Sequence, residues 1–137
     1  MQRAETKARV RALQLLYAWD LTGRPALKTV IARVNAMYGD APTRPDRSAE
    51  LAAKGIAGLA DFDQLVAAAA ENWRLERVGL IERNILRLAL AEIAEGETPS
   101  RVVIDEAVKL AYWFAGAKAP GFVNGVLDTA ARQLGAL

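Results

Sequence analysis

The chain has neither cysteine nor histidine among its 137 residues. That removes thiolate nucleophiles, imidazole bases and the usual zinc sites. A metal would need oxygen ligands alone, and the acids do not recur at EF-hand spacing. There is no GKS or GKT phosphate loop and no GxGxxG; Gly55/Gly58 and Gly121/Gly125 fall inside helical patterns, where close helix packing accounts for them. No apolar run approaches the ~18 residues of a membrane span. The N-terminus is charged and its following run is broken by Gln14 and Asp20, so it is not a signal peptide. Carboxylates and lysines are left for chemistry, and no spacing among them asks for it. The expectation is a cytoplasmic protein with no cofactor, no metal and no catalytic residues.

What is present is helix-forming and apolar. Hydrophobic residues make up 53% of the chain, much of it alanine, which suits one domain over residues 1–137 with a core of its own. Net charge is +2, but it is unevenly placed. Residues 1–47 carry nine Lys/Arg against four Asp/Glu, giving +5, and residues 48–137 carry nine against twelve, giving −3. A basic end on a near-neutral body is what attraction to nucleic acid needs, because each neutralised phosphate releases counterions. A solubilising terminus fits the same charge.

Every segment reads at helical period, which predicts an all-α fold of about seven helices. The first, Met1 to Leu21, joins a basic half to an apolar half. Arg3, Lys7 and Arg11 recur at four-residue steps as one stripe, and Val10, Leu13, Leu16 and Tyr17 form the inward face. The second helix opens at Pro25 and uses Leu27, Val30, Ile31, Val34 and Tyr38. After the loop Asp40 to Asp46, a third helix runs through Leu51, Ile56 and Leu59. Asp61 or Asp63 caps a fourth, with Leu65, Ala69 and Trp73 inward, and Arg74 to Gly79 connects onward. The fifth, Leu80 to Glu95, buries Ile81, Ile85, Leu88, Ala89 and Ile93 and turns Glu82, Arg83 and Arg87 to solvent. The sixth, about Val103 to Ala115, sets Ile104, Ala107, Val108, Ala111 and Phe114 inward. The seventh runs from near Pro120 to Leu134. Trp19, Trp73 and Trp113 sit at scattered helical positions, where core packing is the default. Asp105 and Glu106 are adjacent, point apart on a helix and are not a catalytic pair.

Three stretches carry a resemblance: RALQLLYAWD (11–20), ERNILRLALAEI (82–93), and VVIDEAVKLAYWF followed by FVNGVLD (102–114, 122–128). In order and spacing they resemble the NusB family of transcription antitermination factors, over nearly the whole chain. The resemblance implies an all-helical fold in two packed helical subdomains. It also implies a non-enzymatic factor that binds single-stranded boxA-type RNA in ribosomal RNA leader transcripts. The implied partner is ribosomal protein S10 (NusE), in an antitermination complex on RNA polymerase.

Position by position, the resemblance assigns RNA contact to Arg3, Lys7, Arg9 and Arg11 and to Phe122, where a ring stacking on an unpaired base is worth about 1–3 kcal/mol. It assigns the S10 side to Tyr17 and Glu82. The basic N-terminal run is thinner than the family's, with Glu5 within it. Lys118 stands where many relatives carry an acid and is expected to add to the basic surface. Each residue has a structural reading beside the functional one. Tyr17 fits a core tyrosine, Glu82 complements a helix dipole, Phe122 divides between core and site, and Asn124 fits a buried hydrogen bond. A homodimer through the S10 surface is open, as are two other functions. One is the RNA-binding module of a ribosomal RNA cytosine methyltransferase, disfavoured by the lack of a glycine-rich cofactor loop. The other is a protein-interaction bundle with no RNA role.

Overall fold

A computed structural model describes residues 3–41, 43–70 and 78–137, and among these the chain forms seven α-helices and no strand. They are α1 Ala4–Leu21, α2 Leu27–Tyr38, α3 Pro45–Ala57, α4 Leu59–Ala69, α5 Leu80–Glu95, α6 Ser100–Phe114 and α7 Ala119–Gln133. Helices α1–α3 form one group and α4–α7 the other, with α5 packed on α1 and α3 as well as on α4, α6 and α7. One continuous cluster of buried side chains runs through both groups. Among the described residues no helix is long and apolar enough to cross a membrane. Trp73 and most of the expected Arg74–Gly79 connector lie outside the described residues.

The centre of the fold is α5, where every residue from Asn84 to Ile93 is buried. A helix apolar on nearly all sides is stable only when surrounded. Ile85, Leu86, Leu88 and Leu90 are each fully enclosed, and each such side chain contributes about 1.5–3 kcal/mol by leaving water. Arg87 is therefore not on a solvated face, as its charge suggested. Its guanidinium donates to Asp63 of α4 at 2.8 Å on two arms, to Asp20 of α1 at 2.7 Å and to Asn84 at 3.0 Å. A charge can sit so deep only because every arm has a partner.

Helix boundaries follow local chemistry. The break between α3 and α4 falls at Gly58, a poor helix former, not at the expected Asp61 or Asp63, and the Phe62 ring lies where a Cβ at this position would stand. Helix α6 starts at Ser100, earlier than expected, since the Pro99 carbonyl accepts the N–H groups of Val102 and Val103 and so begins the first turn. Gly55 allows α3 to close on α1, with its Cβ position 3.2 Å from Leu16. Gly121 and Gly125 have no such reason: nothing lies within 4 Å of either Cβ position, so close helix packing does not explain them.

Candidate nucleic-acid and partner interface

A helix turns about 100° per residue, so Arg3 (the N-cap), Lys7, Val10, Gln14, Tyr17 and Leu21 fall on one face of α1. All of them are exposed or half-buried. The core side of α1 is instead made by Ala8, Ala12, Leu13, Leu15, Leu16 and Trp19. Val10 and Tyr17 were expected inward. The apolar half of α1 is so wide that periodicity fits two registers, and Trp19, the bulkier aromatic, takes the interior. The outward stripe thus carries cations at its N-terminal end and apolar groups at its C-terminal end.

Arg9 and Arg11 leave this stripe and are buried. Arg9 donates from Nε and Nη2 to the two oxygens of Glu92 at 2.8 and 2.5 Å, and from Nη1 to Glu106 at 3.3 Å. The Glu92 bond, foremost, raises the Arg9 pKa further above its ordinary value. Thr6 Oγ1 donates to the same Glu106 oxygen at 2.8 Å, so the first turn of α1 is tied to α6. Arg11 Nη1 donates to Asn35 Oδ1 and to the Gly39 carbonyl, both at 2.9 Å. Gly39 sits at φ +81°, a left-handed conformation that suits glycine. Both guanidinium groups fix α1 against its neighbours, and it is Arg3 and Lys7 that face outward.

At the other end of α1, Tyr17 lines an apolar groove of about 270 Å³ between α1 and α2, with Leu21, Val30, Val34, Met37 and Tyr38. Leu21, Met37 and Tyr38 are exposed on its rim. Glu82 stands in the first turn of α5, where its carboxylate accepts the Gly79 N–H at 2.9 Å and so caps the helix. Two residues on, Asn84 Nδ2 donates to Asp20 Oδ2 at 3.3 Å, which brings the start of α5 to the end of α1. Burial works to raise the Asp20 carboxyl, but bonds from Arg87, Arg24 and Asn84 outweigh it and hold it below its ordinary value. The groove, Tyr17 and Glu82 belong to this end of the molecule.

Comparison with known proteins bears on what such a surface serves. The model of the NusB family matches residues 6–132. The chain belongs to the NusB family. It is 40% identical over 129 residues to the transcription antitermination protein NusB of Solibacter usitatus, covering 93% of this chain and 88% of that one. The NusB of Sorangium cellulosum is 38% identical over 134 residues, covering 96% and 94%. Among solved structures, NusB from Aquifex aeolicus matches with a TM-score of 0.80 at 28% identity, over 96% of this chain and 89% of that one. A crystal structure of antitermination factors NusB and NusE in complex with double-stranded RNA matches with a TM-score of 0.76 at 29% identity, over 97% and 99%.

The remaining anticipated residues of this NusB-family chain lie around the α6–α7 turn. Gly116 takes φ +98°, and the exposed Lys118 precedes α7, whose N-terminus no side chain caps. A lysine here works against the helix dipole, which leaves an anion-attracting spot. Phe122 is half-buried and packs on the core cluster. Asn124 is exposed, so the buried hydrogen bond expected of it is not made. Lys118, Gly121 and Gly125 share one open face, where the missing side chains bare the α7 backbone. Helices α1 and α7 each pack on α5.

Two further observations bound the chemistry. Among the described residues no group of three or more Asp or Glu is placed to hold a metal ion. A polar cleft of about 450 Å³ beside α3 contains Arg9, Arg44 and Arg47. Each of these is already matched by a carboxylate, of Glu92, Glu5 or Glu95. Sequence reasoning missed one exposed group, Tyr112, Trp113 and Phe114, and placed both Trp113 and Phe114 in the core; Trp113 is 41% exposed. The signal was available: three consecutive aromatics on a helix point about 100° apart and cannot all face inward.

Proposed function

We propose that the chain is an RNA-binding transcription antitermination factor that works with ribosomal protein S10 (NusE). In this reading it binds boxA-type RNA, as a single strand, in ribosomal RNA leader transcripts and supports processive antitermination by RNA polymerase in the cytoplasm. The observation that carries the reading is the outward stripe of α1, with Arg3 and Lys7 at one end and Tyr17 at the other. One helix, held in place by Arg9 and Arg11, then presents both an RNA contact and an edge of a protein contact. Support comes from relatives named as antitermination proteins and from the similar structure that holds NusB, NusE and RNA together.

Arg3, Lys7, Lys118 and Phe122 contact RNA, and Arg9 and Arg11 are positioning residues. Tyr17, with the groove beside it, and Glu82 take S10 in preference to a second copy of the chain. The methyltransferase-module reading has less behind it, because the relatives compared are antitermination proteins matched along 88% and 94% of their own length.

Titrating a labelled boxA-type RNA over a series of salt concentrations tests the RNA role. Log affinity is expected to fall linearly with log salt, as phosphate contacts release counterions. Lys118→Glu is expected to weaken binding at fixed salt. Affinity that ignores salt, or no binding even at low salt, would exclude it.

A further inference from the structure

Helix α6 connects the two separated parts of the proposed RNA surface. Glu106, near its middle, is tied to Thr6 and Arg9, which sets the turn bearing Lys7 against that part of α6. Eight residues on, about 12 Å along the axis, α6 ends at Phe114 and the chain turns into the loop that carries Lys118. The outer face of the last two turns of α6 therefore spans the interval.

That face holds Lys109, Tyr112 and Trp113. Lys109 is exposed, with Glu106 3.6 Å from its ammonium. Tyr112 and Trp113 follow it by three and four residues, the two spacings that make helix-surface neighbours. Tyr112 is 70% exposed. The Trp113 ring meets Phe114 edge-on, 6.4 Å between centroids at 84°, which limits the freedom of the indole. Asp105, one turn before Lys109, is an exposed acid on the same side. Leaving two large rings in water forgoes their burial energy and marks a contact surface.

We infer that Tyr112 and Trp113 form a stacking platform for unpaired bases of single-stranded RNA, with Lys109 one turn before them on the phosphates. The inference rests on the RNA-binding reading above and extends it: RNA held by Arg3 and Lys7 crosses α6 on this platform to reach Lys118 and Phe122. Aromatic rings beside a cation are how single strands are held without base-specific hydrogen bonds. The lysine favours RNA over a protein occupant, because lysine is depleted in protein–protein interfaces.

The test is anisotropy titration of the full chain with a short labelled single-stranded RNA, and with the same RNA annealed to its complement. Tyr112 is mostly in water, so Tyr112→Ala is expected to keep the wild-type melting temperature, while Trp113→Ala, which removes a ring more than half covered, is expected to lower it with the chain still folded at the assay temperature. Each is expected to weaken single-strand binding about tenfold, leave duplex binding unchanged, and be rescued by Tyr112→Phe and Trp113→Phe. If the alanine variants bind the single strand as wild type does while Lys7→Ala weakens it, the platform is wrong and RNA binding stands. Loss of S10 binding with RNA affinity intact would make the rings a protein contact and overturn the inference. No RNA binding by the wild type would remove both readings.

Discussion

Arg9 of α1 and Glu92 of α5, 83 residues apart in sequence, form a two-armed ion pair inside the molecule. The same α1 turns Lys7 outward. Two cations two residues apart thus have different work, and substitution separates them. Arg9→Ala leaves Glu92 and Glu106 short of their partner in the interior and is expected to cost about 3–5 kcal/mol of stability in urea unfolding. Lys7→Ala is expected to leave the unfolding midpoint in place and to reduce the slope of log affinity against log salt by about 0.7.

Acid should loosen the junction of α3 and α5. Glu95 accepts Arg47 at 2.7 Å on both oxygens and also takes Lys54. Chiefly through the Arg47 bonds, its carboxyl is lowered from 4.5 to about 2. Stability from this group is complete above its unfolded pKa and is lost as pH falls through the folded one. The window is therefore about pH 4.5 down to 2, and the size up to about 3 kcal/mol. Glu95→Gln should flatten the stability curve across that window, as followed by urea unfolding at stepped pH.

Gly125 lies in the interior of α7, facing open space. Gly125→Ala is expected to stabilise the fold by about 0.5–1 kcal/mol, since a Cβ restricts the unfolded chain and meets nothing in the folded one. Thermal unfolding measures it directly. If the bare α7 face lets RNA approach the backbone, the same variant is more stable and binds boxA-type RNA less tightly.

Glu82 has two roles that different substitutions divide. Its carboxylate caps the Gly79 N–H, and in the proposed complex its charge meets S10. Glu82→Gln retains an acceptor oxygen, so stability should stay near wild type while S10 affinity drops. Glu82→Lys removes the cap as well, at a cost of about 1 kcal/mol. Calorimetric titration with S10 beside a thermal melt distinguishes the two losses.

The extent to which this could be read from sequence differs by level. Helix number follows from periodicity and turn residues; the enclosure of α5 on all sides does not, since Glu82, Arg83 and Arg87 read as a solvated face and Arg87 is buried. The stripe on α1 was not legible, because that helix is apolar enough to satisfy two registers, and the choice between Tyr17 and Trp19 as the buried ring is tertiary. Arg9, Arg11 and Arg87 read as surface cations because their partners, Glu92, Asn35, Asp63 and Asp20, are distant in sequence or on other helices. Composition counts a buried arginine and an exposed one alike. Arg3, Lys7 and Lys118 needed no such partner and stand in solvent or at its edge.

The most direct measurement is a titration of labelled boxA-type RNA with the protein, alone and with S10, for wild type and for Tyr17→Asp and Glu82→Gln. S10 is expected to tighten RNA binding by the wild type, and most of that gain is expected to be lost in both variants while their RNA affinity without S10 stays unchanged. RNA affinity that is the same with and without S10 for all three proteins would contradict that expectation.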